Sequence, residues 1–159
     1  MKETGLGPVR LTPAVLEAIW KEAARAYPHE GCGALLGPAL GEVRETLALP
    51  NKDEASPRTR FSVSPRDYMA VESEADARGV RLLGFWHSHP DHPARPSATD
   101  RRYAWEGLLT VVIAVEGGAP RDITAWDVPG PDQPFRQLAL AVNGRDSTSA
   151  PEEAPCPSS

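Results

Sequence analysis

The sequence predicts an α/β (α+β) domain in which a mixed β-sheet is flanked by helices. Two observations carry this. Apolar strand-like runs are interrupted by segments of helical periodicity, and the first two runs read as an antiparallel hairpin rather than a parallel crossover. A third bounds the size: 159 residues, 40% hydrophobic and 25% charged, suit one compact domain with a single core. Residues 1–142 read as that domain and 143–159 as a disordered tail, because NGRDSTSAPEEAPCPSS has no apolar pattern.

Thr12-Pro13 reads as an N-cap followed by proline in the first turn. Val15, Leu16, Ile19, Trp20, Ala23 and Tyr27 then recur at helical spacing, ending near Pro28. Gly33–Leu36 is small and apolar, a buried strand, with Glu42–Leu49 as its hairpin partner. Residues 50–60 are polar and turn-rich, hence a loop, and Phe61–Val63 reads as a short strand. Ser64-Pro65 opens a second helix to about Arg78, closed by Gly79. Val80–Ser88 is apolar on both faces, which suits a central strand. Asp91–Pro96 is a proline-rich loop, and Ser97 starts a third helix ending near Gly107. Leu108–Val115, Asp122–Val128 and Phe135–Val142 complete the strands.

Composition weighs against several functions. The net charge of −5 disfavours a general nucleic-acid binder, which needs a basic face. Cys32 and Cys156 form no disulfide framework. MKETGLGPVR has no apolar h-region, and no run approaches the ~18 apolar residues of a membrane span. A reducing, cytoplasmic location without membrane contact is the expectation. The sequence admits a homodimer without encoding one.

The segment that carries chemistry is His87-Ser88-His89-Pro90, followed by Ser97 and Asp100. Alternate strand residues face one way, so His87 and His89 point to the same side at a strand end. Asp100 follows in the first turn of the next helix. Two imidazoles and a carboxylate leave one tetrahedral position for water, as in catalytic zinc sites. Iron(II) also accepts this donor set, whereas magnesium prefers oxygen alone. Each part has a plainer reading. Ser97/Asp100 is equally a capping box, a pattern repeated at Ser64/Asp67 and Ser73/Asp76, and a lone His-x-His is more often packing. The conjunction is what points to a metal.

The same residues resemble the JAMM, or MPN-plus, metalloproteases. That signature is an upstream glutamate, then His-x-His-Pro, six residues, Ser, two residues and Asp; this chain has Glu30, His87-Ser88-His89-Pro90, Asp91 to Pro96, Ser97 and Asp100. Glu30 sits in Pro28-His29-Glu30-Gly31-Cys32-Gly33, a context similar to the small bacterial members, and Asn51, Arg60-Phe61 and Pro96-Ser97 also match. The likeness covers about residues 11–142.

The resemblance implies a cytidine-deaminase-like MPN fold with a curved mixed sheet. It implies one zinc ion on His87, His89 and Asp100, Glu30 as general acid–base, and Ser97 as hydrogen-bond donor to the oxyanion. The implied reaction is hydrolysis of the amide or isopeptide bond after the C-terminal Gly-Gly of a ubiquitin-like or sulfur-carrier protein. Lacking the long insertions of eukaryotic relatives, the chain carries no expectation of polyubiquitin specificity. Two alternatives stand beside it. The RadC-like DNA-repair branch typically reads His-Asn-His-Pro-Ser-Gly, where this chain has Ser88 and Asp91-His92. A non-catalytic MPN scaffold usually lacks ligands that this chain keeps. His29 and His92 read as solvated loop residues, and Cys32, between glycines beside an apolar strand, as a small core residue rather than a nucleophile.

Overall fold

Thr12 caps the first helix as its sequence predicts: its Oγ1 accepts from the Val15 N–H at 3.1 Å, and Pro13 occupies the first turn. In this computed structural model, which describes residues 7–130, 133–142 and 145–146, the chain runs β1 (Val9–Leu11), α1 (Pro13–Ala26), β2 (Cys32–Gly37), β3 (Glu42–Val43), β4 (Glu45–Leu49), α2 (Pro65–Arg78), β5 (Arg81–Pro90), α3 (Ala98–Tyr103), β6 (Leu109–Glu116), β7 (Ala119–Asp127), β8 (Arg136–Leu138), β9 (Leu140–Val142) and β10 (Arg145–Asp146). Of the segment expected to be a disordered tail, residues 143–144 and 147–159 lie outside the described residues, while β10 pairs antiparallel with β9.

The larger sheet has the order β4-β2-β5-β6-β7-β8, and β5, one of its two middle strands, runs parallel to β6 and antiparallel to β2. It is the predicted mixed sheet. A smaller sheet, β10-β9-β1-β3, was not foreseen, because strands of two or three residues leave little pattern to read. It divides two predicted strands. The Glu42–Leu49 segment gives β3 to the small sheet and β4 to the hairpin with β2, and the 135–142 segment parts into β8 and β9.

Two further expectations are corrected. Phe61–Val63 is not a strand: the Ser62 N–H goes to the Asn51 side chain and the Ser62 carbonyl to the Lys52 N–H, so the segment is stitched to its own loop. The third helix stops at Tyr103 because Ala104 is already extended (ψ 155°) and Trp105 packs against Phe85 and Tyr68. Tertiary packing outweighs helix propensity there.

The sheet separates two apolar layers. On one side α1 delivers Ile19, Trp20 and Ala23 onto Leu35, Leu83, Trp86, Val111 and Ile113; on the other, α2 delivers Val71 and Ala75 onto Ala34, Leu36 and Phe85. Full burial of each large side chain contributes ~1.5–3 kcal/mol. One irregularity decides where the histidines point. Leu35 pairs with Gly84 but Leu36 pairs with Leu82, so Leu83 is an extra residue in β5. The bulge shifts the alternation by one, sending Leu83 and Trp86 to the α1 layer and Leu82 and Phe85 to the α2 layer. His87 and His89 follow Phe85. Gly84 is needed beside the bulge, since a Cβ there would lie 2.0 Å from the Leu109 carbonyl oxygen. Among the described residues no helix is long and apolar enough to cross a membrane.

Candidate metal centre

His87, His89 and Asp100 converge. All three are buried, and their donor atoms lie within 4.8 Å of one another, a group that could hold a metal ion. Asp100 Oδ2 stands 3.0 Å from His87 Nε2 and 2.9 Å from His89 Nε2. The helix that carries Asp100 is fixed by a reciprocal cap: the Asp100 N–H donates to Ser97 Oγ at 3.0 Å, and the Ser97 N–H donates to Asp100 Oδ2 at 2.8 Å. The plainer reading of Ser97/Asp100 therefore holds alongside the convergence.

The proton inventory of this cluster fits a cation. His89 Nδ1 lies 2.8 Å from the Pro93 carbonyl oxygen, which can only accept, so Nδ1 carries the proton. In the neutral ring Nε2 then presents a lone pair to a carboxylate oxygen that also has only lone pairs. His87 Nε2 is close to the same oxygen but has no hydrogen-bond partner. Burial lowers the pKa of His87 despite the neighbouring Asp100, favouring the neutral imidazole that ligates metals. Burial opposes ionisation of Asp100, but with a proton on His87 or His89 facing it, and the Ser97 N–H donating, its carboxyl is held well below the usual range; a cation bound between them would take the place of that proton. Two lone pairs and a carboxylate aimed at one point are the donor set of a divalent transition metal bonded at ~2.0–2.2 Å.

Glu30 is brought to this end of the sheet by the antiparallel register that sets Cys32 opposite His87. Glu30 is 3% exposed, and its Oε1 has no hydrogen-bond partner. Burial first, then Asp100 and Asp53, push its pKa up to about 9. Its backbone is fixed from two directions, by the Glu30 N–H to the Pro57 carbonyl at 2.7 Å and by Asn51 Nδ2 to the Glu30 carbonyl at 3.0 Å.

Several supporting residues had no role assigned from sequence. Ser88, fully buried, accepts the Gly31 N–H on its Oγ at 2.7 Å and donates its own N–H to the Gly31 carbonyl at 3.0 Å. A polar residue inside an apolar strand was the available signal. Phe61 stacks on His87, with ring centroids 4.6 Å apart. Thr124 Oγ1 donates to the Ala94 carbonyl at 2.8 Å and accepts from Trp126 Nε1 at 2.7 Å, pinning the loop whose Pro93 carbonyl orients His89. Their partners are distant in sequence, so spacing gave no clue.

His29 and His92 are exposed and stand outside the convergent group. Cys32 is buried, and burial first, then Glu30, pushes its thiol up to about 12. It is a protonated core residue at neutral pH. Beside His87 and Asp100 opens a cavity of about 380 Å³, walled by Phe61, Val63, Phe85, Trp105 and Leu108, with Arg60 and Asp53 among its polar lining.

The family of prokaryotic homologs of the JAB domain matches residues 12–129. A desampylase of Haloferax volcanii is 29% identical over 130 residues, covering 81% of this chain and 89% of its own. A Thermus thermophilus protein named as a probable TtuB-protein conjugate cleaving protease is 31% identical over 103 residues, covering 65% of this chain and 68% of its own. The crystal structure of a JAB1/MPN domain protein from Archaeoglobus fulgidus superposes with a TM-score of 0.55 at 19% identity, over 85% of this chain and 97% of that one, and so speaks to the fold.

Proposed function

The chain belongs to the family of prokaryotic homologs of the JAB domain, and from that premise we propose that it is a zinc metallopeptidase that hydrolyses the amide or isopeptide bond after the C-terminal Gly-Gly of a ubiquitin-like or sulfur-carrier protein. The carrying observation is the buried convergence of His87, His89 and Asp100. The relatives' names, a desampylase and a conjugate cleaving protease, support a hydrolase acting on protein conjugates.

His87 Nε2, His89 Nε2 and an Asp100 oxygen would hold the ion, which when bound supplies Lewis acidity and lowers the pKa of a bound water toward ~7. Glu30 takes the proton from the attacking water and returns it to the leaving amine. Its buried, unpartnered Oε1 is suited to this, and a cation held by the neighbouring ligands would favour the ionised carboxylate that accepts the proton. Ser97 Oγ already accepts the Asp100 N–H, so its own proton is the one to donate to the developing oxyanion.

The segment Phe61–Val63, paired only at Ser62, suits an extended substrate tail. Ser62 spends its backbone groups on Asn51 and Lys52, while among the described residues Phe61 and Val63 make no backbone hydrogen bond. A tail laid beside them would gain main-chain bonds, and its glycines let the backbone approach the ion closely.

The test incubates the zinc-loaded protein with Gly-Gly carriers bearing either a C-terminal cysteine or a lysine-linked protein, read by intact-mass spectrometry. Release of the carrier with a free Gly-Gly terminus from at least one supports the proposal. No cleavage of either, with zinc bound, contradicts it.

A further inference from the structure

Asp91 has no part in this chemistry, yet it is the one non-glycine with left-handed backbone (φ 59°) among the described residues. It directly follows His89-Pro90, and both its oxygens are engaged. Oδ1 accepts the Gly117 N–H at 2.8 Å, and Oδ2 accepts the Tyr27 hydroxyl at 2.7 Å. Its own N–H donates to the Val115 carbonyl at 2.5 Å. The Tyr27 ring packs against the main core cluster, so the far end of this contact is anchored.

These bonds close a ring. Gly31 and Ser88 exchange two hydrogen bonds, at 2.7 and 3.0 Å. From Ser88 the chain passes through His89 and Pro90 to Asp91, crosses to Tyr27 by the hydroxyl bond, and returns through Pro28, His29 and Glu30 to Gly31. Glu30 and His89 both lie within it, on opposite arms. Breaking the Gly31–Ser88 junction would also disturb buried strand pairing. Breaking the Tyr27–Asp91 junction opens the ring at the surface and leaves the core in place, with the Glu30 arm then held by Pro57 and Asn51 and the Asp91 arm by Val115 and Gly117.

We propose that the Tyr27–Asp91 hydrogen bond is a strut that sets the spacing between Glu30 and His89, which makes Asp91 a positioning residue for the hydrolysis; the catalytic part of this rests on the function proposed above. A misplacement of about 1 Å can cost ~100-fold in rate.

The test compares three variants of the zinc-loaded full chain. Tyr27→Phe removes only the hydroxyl. Asp91→Gly keeps the left-handed turn accessible but removes the carboxylate. Asp91→Asn tolerates that turn, still accepts from Gly117, and can donate its amide to Tyr27 Oη. The expected result is kcat ~10–100-fold lower in Tyr27→Phe and Asp91→Gly, with KM within about twofold, and Asp91→Asn within about threefold of the parent. Zinc content and melting temperature stay near the parent values. Wild-type kcat in the first two variants, or an Asp91→Asn loss as deep as that of Asp91→Gly, overturns the strut. So does a loss that merely follows zinc content or melting temperature. Amide hydrogen exchange reads the strut without turnover: Gly31, at the far junction, should exchange faster in both Tyr27→Phe and Asp91→Gly, and an unchanged rate overturns it. If the parent cleaves no conjugate, the proposed function fails while the exchange experiment still judges the ring.

Discussion

Asn51 ties itself to Glu30 through the main chain, its Nδ2 donating to the Glu30 carbonyl at 3.0 Å. The same amide group donates to the Arg60 carbonyl at 3.0 Å, while its Oδ1 accepts from the Asp53 and Ser62 N–H groups. One half-buried side chain thus holds the residue proposed as proton carrier to the loop that bears Phe61. Asn51→Ala should cost about 2 kcal/mol through the partners left unpaired. Urea unfolding would read this as a lower midpoint with unchanged slope. A wild-type midpoint would mean the loop is held by other contacts.

Glu30 should make the metal-free protein less stable as pH rises. Its folded pKa, pushed up to about 9, lies above its ordinary 4.5, so between these values the folded state keeps a proton that the unfolded state has lost. Stability from this group is therefore full below about pH 4.5 and declines until about pH 9. Glu30→Gln removes the dependence. Metal-free Glu30→Gln should melt higher than its parent, with the gap widening from about pH 5 to about pH 8. The same variant should keep its zinc and lose turnover. A constant gap would refute the buried acid, and full activity the proton carrier.

The Cys32 thiol, pushed up to about 12, should resist alkylation. Iodoacetamide at pH 8 should leave Cys32 unmodified in the folded protein and label it after denaturation, by peptide mapping. Cys32→Ala should retain activity. Rapid labelling of the folded chain would reopen the nucleophile reading.

Thr124 acts on His89 at one remove, by pinning Ala94 beside the Pro93 carbonyl. Thr124→Val keeps the shape and loses both hydrogen bonds. Zinc affinity should fall about tenfold, measured by competition with a chelating dye, since supporting bonds of this kind typically tune affinity by 10–100-fold. Unchanged affinity would show that the loop holds its place without them.

The sequence made the centre legible because its parts are local. The His-x-His spacing on a strand and the cap on the next helix were set within fourteen residues, from His87 to Asp100. Helices α1 and α2 were legible from their caps, Thr12-Pro13 and Ser64-Pro65, and the Gly79 stop. What escaped depends on distant partners. The small sheet brings Val9–Leu11 beside Leu140–Val142. The bulge at Leu83 appears only once β2 and β5 pair, yet it sets the face on which His87 and His89 lie. Phe61–Val63 carried a strand pattern, but Asn51 and Lys52 claimed the Ser62 backbone. The Tyr27–Asp91 contact spans 64 positions and leaves no periodic trace.

The most direct measurement is anomalous diffraction at the zinc absorption edge from crystals of the zinc-loaded protein. One peak is expected at ~2.0–2.2 Å from His87 Nε2, His89 Nε2 and an Asp100 oxygen, absent in crystals of His89→Ala. A peak elsewhere, or no peak at this cluster in the zinc-loaded parent, would contradict it.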